Sequence, residues 1–166
     1  MFLAEALDFT DKPAGYAELA TQARGLLQDE SDLIANAANF AALAYHALPM
    51  VNWAGFYFFD GNELVVGPFQ GRPACVRIAP GRGVCGTAAQ TRQTQLVEDV
   101  NAFAGHIACD AASRSEIVVP LVREDGSLLG VWDVDSPHVQ RFDDADREGM
   151  QQLCTIFMAA VARGAG

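Results

Sequence analysis

Three cysteines, Cys75, Cys85 and Cys109, lie in the middle third of a 166-residue chain, and three carboxylates, Glu116, Asp133 and Asp135, follow close behind. A thiolate is a strong nucleophile, and a second thiol can resolve its oxidised form as a disulfide. Crowded carboxyl groups can keep a proton near neutral pH, or clamp a cation such as an α-amino group. Together these residue types point to thiol redox chemistry on a small polar molecule.

Cys109 is the best-placed nucleophile. It sits in a long irregular stretch from Glu98 to Arg114, and such stretches are often binding loops. His106 and Arg114 would favour its thiolate, and Asp110 would oppose it. Cys75 and Cys85 are both open as resolving thiols. Cys75 is expected on the polar face of a strand Ala74–Ile78, beside Arg77 and away from a Val76/Ile78 core face. Composition alone favours three reduced, inert cysteines, because unpaired cysteines are commonly buried. His106, taken singly, reads as a loop hydrogen-bonding residue. No C-x-x-C pair exists, so the spacing argues against a structural zinc site. Cys154 falls in an apolar helical stripe and reads as core.

The elements that must position these groups follow from periodicity. Tyr16, Leu19, Ala20, Ala23 and Leu26 predict a helix over Gly15–Gln28. Asp29 or Ser31 would cap a second, Ala-rich helix ending at Pro49. Trp53–Phe59 turns through Asp60-Gly61-Asn62 into Glu63–Phe69. Trp53 and Tyr57 share one strand face, either as core or as the wall of an apolar slot. Val84–Arg92 predicts a short helix with Cys85 near its start, followed by a short strand Gln95–Val97. The Gly81-Arg82-Gly83 loop lacks a phosphate-binding fingerprint. Strands Glu116–Arg123 and Leu128–Asp135 flank an Asp125-Gly126 turn. A two-residue turn sets Glu116 opposite Asp135 and Val118 opposite Asp133, gathering three carboxylates on one face. Asp143 caps a final helix, with Asp144, Asp146 and Glu148 in its first turns to suit the macrodipole and a buried stripe of Met150, Leu153, Cys154, Phe157 and Val161. The pattern is α+β, in one domain spanning residues 1–166 with a core over about 16–160.

The net charge of −10 argues against a nucleic-acid partner. Nothing near Met1 reads as a signal peptide, and no stretch is long and apolar enough to span a bilayer, so a cytoplasmic location is expected.

The runs Asn52-Trp53-Ala54-Gly55-Phe56-Tyr57, Gly67-Pro68-Phe69-Gln70-Gly71, Ala74-Cys75, Gly83-Val84-Cys85-Gly86, Gly105-His106-Ile107-Ala108-Cys109-Asp110, Ser115-Glu116-Ile117-Val118-Val119-Pro120 and Asp133-Val134-Asp135-Ser136 resemble the free methionine-(R)-sulfoxide reductases. These enzymes are built on a GAF domain, and the match runs from about Tyr16 to Phe157. The resemblance implies a central antiparallel sheet flanked by N- and C-terminal helices. It implies that Cys109 attacks the sulfoxide sulfur, that Cys75 is the main resolving thiol, and that Cys85 can join a second exchange. Glu116, Asp133 and Asp135 would hold the amino group or protonate the sulfoxide oxygen, and Trp53 and Tyr57 would line a methyl pocket. It implies thioredoxin as reductant, and no metal or organic cofactor. Helices at both termini offer a homodimer face, as in other GAF domains. Two other uses of the same residues are a GAF ligand sensor and a thiol redox sensor or peroxidase.

Overall fold

The computed structural model describes residues 7–105 and 111–164. Runs rich in β-branched and aromatic residues build six strands among the described residues: β1 (Trp53–Phe59), β2 (Leu64–Gly71), β3 (Arg77–Ile78), β4 (Gln95–Val97), β5 (Ser115–Val122) and β6 (Leu128–Ser136). They form one antiparallel sheet in the order β3-β2-β1-β6-β5-β4. Helices α1 (Lys12–Leu27), α2 (Leu33–Ala47) and α4 (Asp144–Ala162) pack together on one face, while α3 (Gly83–Thr91) covers the other.

Because side chains alternate along a strand, each strand feeds two cores. Ala54, Phe56, Ile117, Trp132 and Val134 join the large core under α1, α2 and α4. Trp132 is fully buried there, against Phe40 and Phe56, and its Nε1 donates to Met150 Sδ at 3.5 Å. The intervening residues Trp53, Tyr57, Val118 and Val131 face α3, in a smaller core that also holds Cys85. The site forms in this smaller layer.

The helix boundaries differ modestly from the sequence expectation. Asp11 caps α1 three residues earlier than expected, its carboxylate accepting from the Ala14 amide; Pro13 fits this first turn because the amide it lacks would be unsatisfied there. Asp32, rather than Asp29 or Ser31, caps α2. On α4, Asp143 and Asp146 form a reciprocal capping box. Asp146 is also fully buried. It accepts from Tyr16 Oη at 2.8 Å, Lys12 Nζ at 2.6 Å and Arg141 Nη1 at 2.9 Å, tying α1 to α4. The sequence suggested only a macrodipole role for this residue.

The β5–β6 hairpin has the expected register for a different reason. Glu116 lies opposite Asp135 and Val118 opposite Asp133. The turn, however, is one residue longer than Asp125-Gly126. Gly126 N donates to Arg123 O and Arg123 N to Ser127 O, with Gly126 at φ +83°, the left-handed region that glycine adopts most readily. A bulge between Leu121 and Val122 then restores the pairing.

Candidate functional site

The floor of the site is three antiparallel strands read across their pleat. Trp53 on β1 lies opposite Asp135 on β6, which lies opposite Glu116 on β5. One step along, Gly55 lies opposite Asp133, which lies opposite Val118. Trp53, Gly55, Glu116, Asp133 and Asp135 therefore share the α3 side of the sheet. Gly55 is needed there: a Cβ on it would come within 2.3 Å of the Phe69 Cβ and 2.7 Å of the Trp53 ring.

The apolar wall is a stack of rings. Trp53 stacks on Phe69 with centroids 5.2 Å apart and on Tyr57 at 5.8 Å. Its Nε1 donates to the Arg72 carbonyl at 3.1 Å, which fixes the ring. Phe69 belongs to this wall and was missed by sequence reading. Its place opposite Gly55 was the available signal, but the β1–β2 pairing shifts between Gly55 and Tyr57 and hides it.

The roof is the first turn of α3. Cys85 is buried, and its Sγ lies 3.3 Å from Asp133 Oδ2 and 3.8 Å from Glu116 Oε1. Asp133 is 5% exposed and Glu116 7%, and Asp133 Oδ1 is buried without a hydrogen-bond partner among the described residues. Burial disfavours their charged forms, and each would repel the other if both ionised. Burial, with the Asp133 and Asp135 charges, holds the Glu116 carboxyl well above the usual carboxylate range. Burial pushes Asp133 up to about 7, although hydrogen bonds from Cys85 and Glu116 pull it back. Burial and the same acids push up the Cys85 thiol and, in like manner, the Tyr57 phenol. The site therefore holds proton donors beside an aromatic slot.

Cys75 packs, half-buried, against this smaller core and is joined in a disulfide. This corrects the expected strand face. β3 is only Arg77–Ile78, so the alternation assumed from Ala74 does not hold, and Val76 points outward at 62% exposed. Cys85 and Cys154 are free and buried, with Cys154 in the large core under α4. Cys109 and His106 lie outside the described residues.

An antiparallel sheet with three helices on one face and a site of buried carboxyls on the other defines the class. The GAF domain family profile matches residues 40–162. The chain is 51% identical over 143 residues to the free methionine-R-sulfoxide reductase of Escherichia coli, covering 86% of each chain. It is 54% identical to protein YtsP of Bacillus subtilis, covering 92% of this chain and 94% of that protein. The X-ray structure of the Neisseria meningitidis free methionine-R-sulfoxide reductase with its substrate superposes with a TM-score of 0.93 at 42% identity, over the full length of both chains. The chain belongs to the free methionine-(R)-sulfoxide reductase family of GAF-domain proteins. No helix among the described residues is long and apolar enough to cross a membrane.

Proposed function

We propose that this protein reduces free methionine-(R)-sulfoxide to methionine, with Cys109 as nucleophile, Cys75 as resolving thiol and a thioredoxin-type dithiol protein as reductant. The observation that carries the reading is the pair of buried, proton-retaining acids, Glu116 and Asp133, beside the Trp53–Tyr57–Phe69 wall. A methylsulfinyl group has one apolar arm and one basic oxygen. The wall suits the methyl and a protonated carboxyl suits the oxygen. Asp135, half-buried on the same sheet face, suits the α-amino group.

The reaction balances in two steps. The Cys109 thiolate attacks sulfur as a carboxyl protonates the departing oxygen, so the S–O oxygen passes to Cys109 as sulfenic acid and methionine leaves. The Cys75 thiol then displaces water to give a disulfide, which the external dithiol reduces. The disulfide at Cys75, with both Cys85 and Cys154 free, supports Cys75 as the resolver. Cys85 serves instead as a hydrogen-bond donor that orients Asp133, because its surroundings keep it a thiol. Carboxyls that can pair with a free α-amino group favour the free amino acid over a peptide, whose amide nitrogen carries no charge. The test measures methionine formed from the free R epimer, the free S epimer and a sulfoxide-containing peptide. The reading expects turnover of the free R epimer above the other two; equal turnover of the peptide refutes the pocket assignment.

A further inference from the structure

The cluster of Cys85, Glu116 and Asp133 has a second chemical capacity. A thiol and two carboxylates are a ligand set for a borderline-soft divalent cation, and one donor atom from each lies within 4.8 Å of the others. Tetrahedral zinc with Zn–S about 2.3 Å and Zn–O about 2.1 Å separates sulfur from oxygen by about 3.6 Å. The two observed S···O separations, 3.3 and 3.8 Å, bracket that edge. An independent observation points the same way. Asp133 Oδ1 is buried in a residue only 5% exposed and has no hydrogen-bond partner among the described residues, so the carboxylate has an acceptor left for a ligand. Calcium and magnesium, which take six or more oxygens, do not suit three donors that include sulfur.

We propose that Cys85, Glu116 and Asp133 form a three-ligand site for a zinc-class divalent cation, which occupies the floor of the pocket and excludes the amino acid. The thiol proton, and any proton on the Glu116 and Asp133 carboxyls, passes to solvent on binding, no electrons move, and the fourth position is left to water. The sequence spacing concealed this site because its ligands come from α3, β5 and β6 rather than from a close pair. The competition with amino acid rests on the proposed function; the metal binding itself does not.

The test uses the oxidised protein, in which Cys75 is held in a disulfide and the free thiols among the described residues are Cys85 and Cys154. Cobalt(II) is titrated anaerobically, and the thiolate-to-cobalt charge-transfer band is followed. The expected result is one cobalt per chain with that band present, displaced by zinc. The band should vanish in Cys85→Ala and persist in Cys154→Ala. Asp133→Asn keeps the thiol and the side-chain size, covers the case in which Cys85→Ala fails to fold, and should weaken cobalt binding at least tenfold. Absence of the band in the parent protein, its survival in Cys85→Ala, or unchanged affinity in Asp133→Asn overturns the proposal. Free methionine should weaken cobalt binding. Cobalt binding that methionine leaves unchanged overturns the exclusion of the amino acid and counts against the proposed function, while the metal site itself stands.

Discussion

Replacing Asp133 with Asn should make the protein more stable at alkaline pH and less active at every pH. A carboxyl moved from its ordinary 3.8 to about 7 carries a charge-burial cost of about 4 kcal/mol, since each tenfold change in proton affinity is about 1.4 kcal/mol. The folded chain keeps this proton while the unfolded chain has lost it. Wild-type stability is therefore unpenalised below about pH 4, falls as pH rises toward 7, and levels off above that. Asparagine has no proton to lose and escapes the fall. The difference between variant and wild type should grow by about 4 kcal/mol from pH 4 to pH 8, or about 2 M in urea midpoint for a slope near 2 kcal/mol/M. Urea unfolding followed by tryptophan fluorescence at several pH values measures it. A difference that stays constant across that range would mean Asp133 ionises like a surface acid, and the proton-donor argument would collapse with it.

Glu116→Gln retains a hydrogen-bonding amide but has no proton to transfer; kcat should fall by about 10²–10⁴ with methionine binding retained, by steady-state kinetics and calorimetry. Steady-state turnover should decline as pH rises through and above 7, where Asp133 loses its proton, and a rate that climbs steadily to pH 9 would contradict the donor role. Cys75→Ser should release methionine once per chain yet fail to turn over with a dithiol protein, whereas Cys109→Ser should release none, as quench assays will show. Asp146→Ala strips the buried Arg141 of its carboxylate partner and should cost about 3–5 kcal/mol in a denaturant titration.

The acid cluster was legible because strand periodicity is a strong local signal. Glu116, Asp133 and Asp135 alternate with Ile117, Val134 and Trp132, and only one register buries the latter three in the large core. The longer turn and the bulge offset each other, so a two-residue turn gave the same pairing. Cys75 was less legible because its orientation depends on where β3 starts, and pairing with β2, rather than its own neighbours, decides that. Asp146 looked like a helix-start acid because its partners are Lys12 and Tyr16, more than a hundred residues away. Phe69 was hidden by the shift in the β1–β2 ladder. Contacts between distant segments, rather than local pattern, decided each of these.

The most direct measurement is a single turnover without reductant. Fully reduced protein is mixed with excess free methionine-(R)-sulfoxide, quenched with a thiol-blocking reagent, and assayed for methionine and for disulfides by peptide mapping. One methionine per chain, with Cys75 and Cys109 joined and Cys85 blocked as a free thiol, is the predicted outcome. No methionine, or a disulfide that includes Cys85 in place of Cys75, would contradict it.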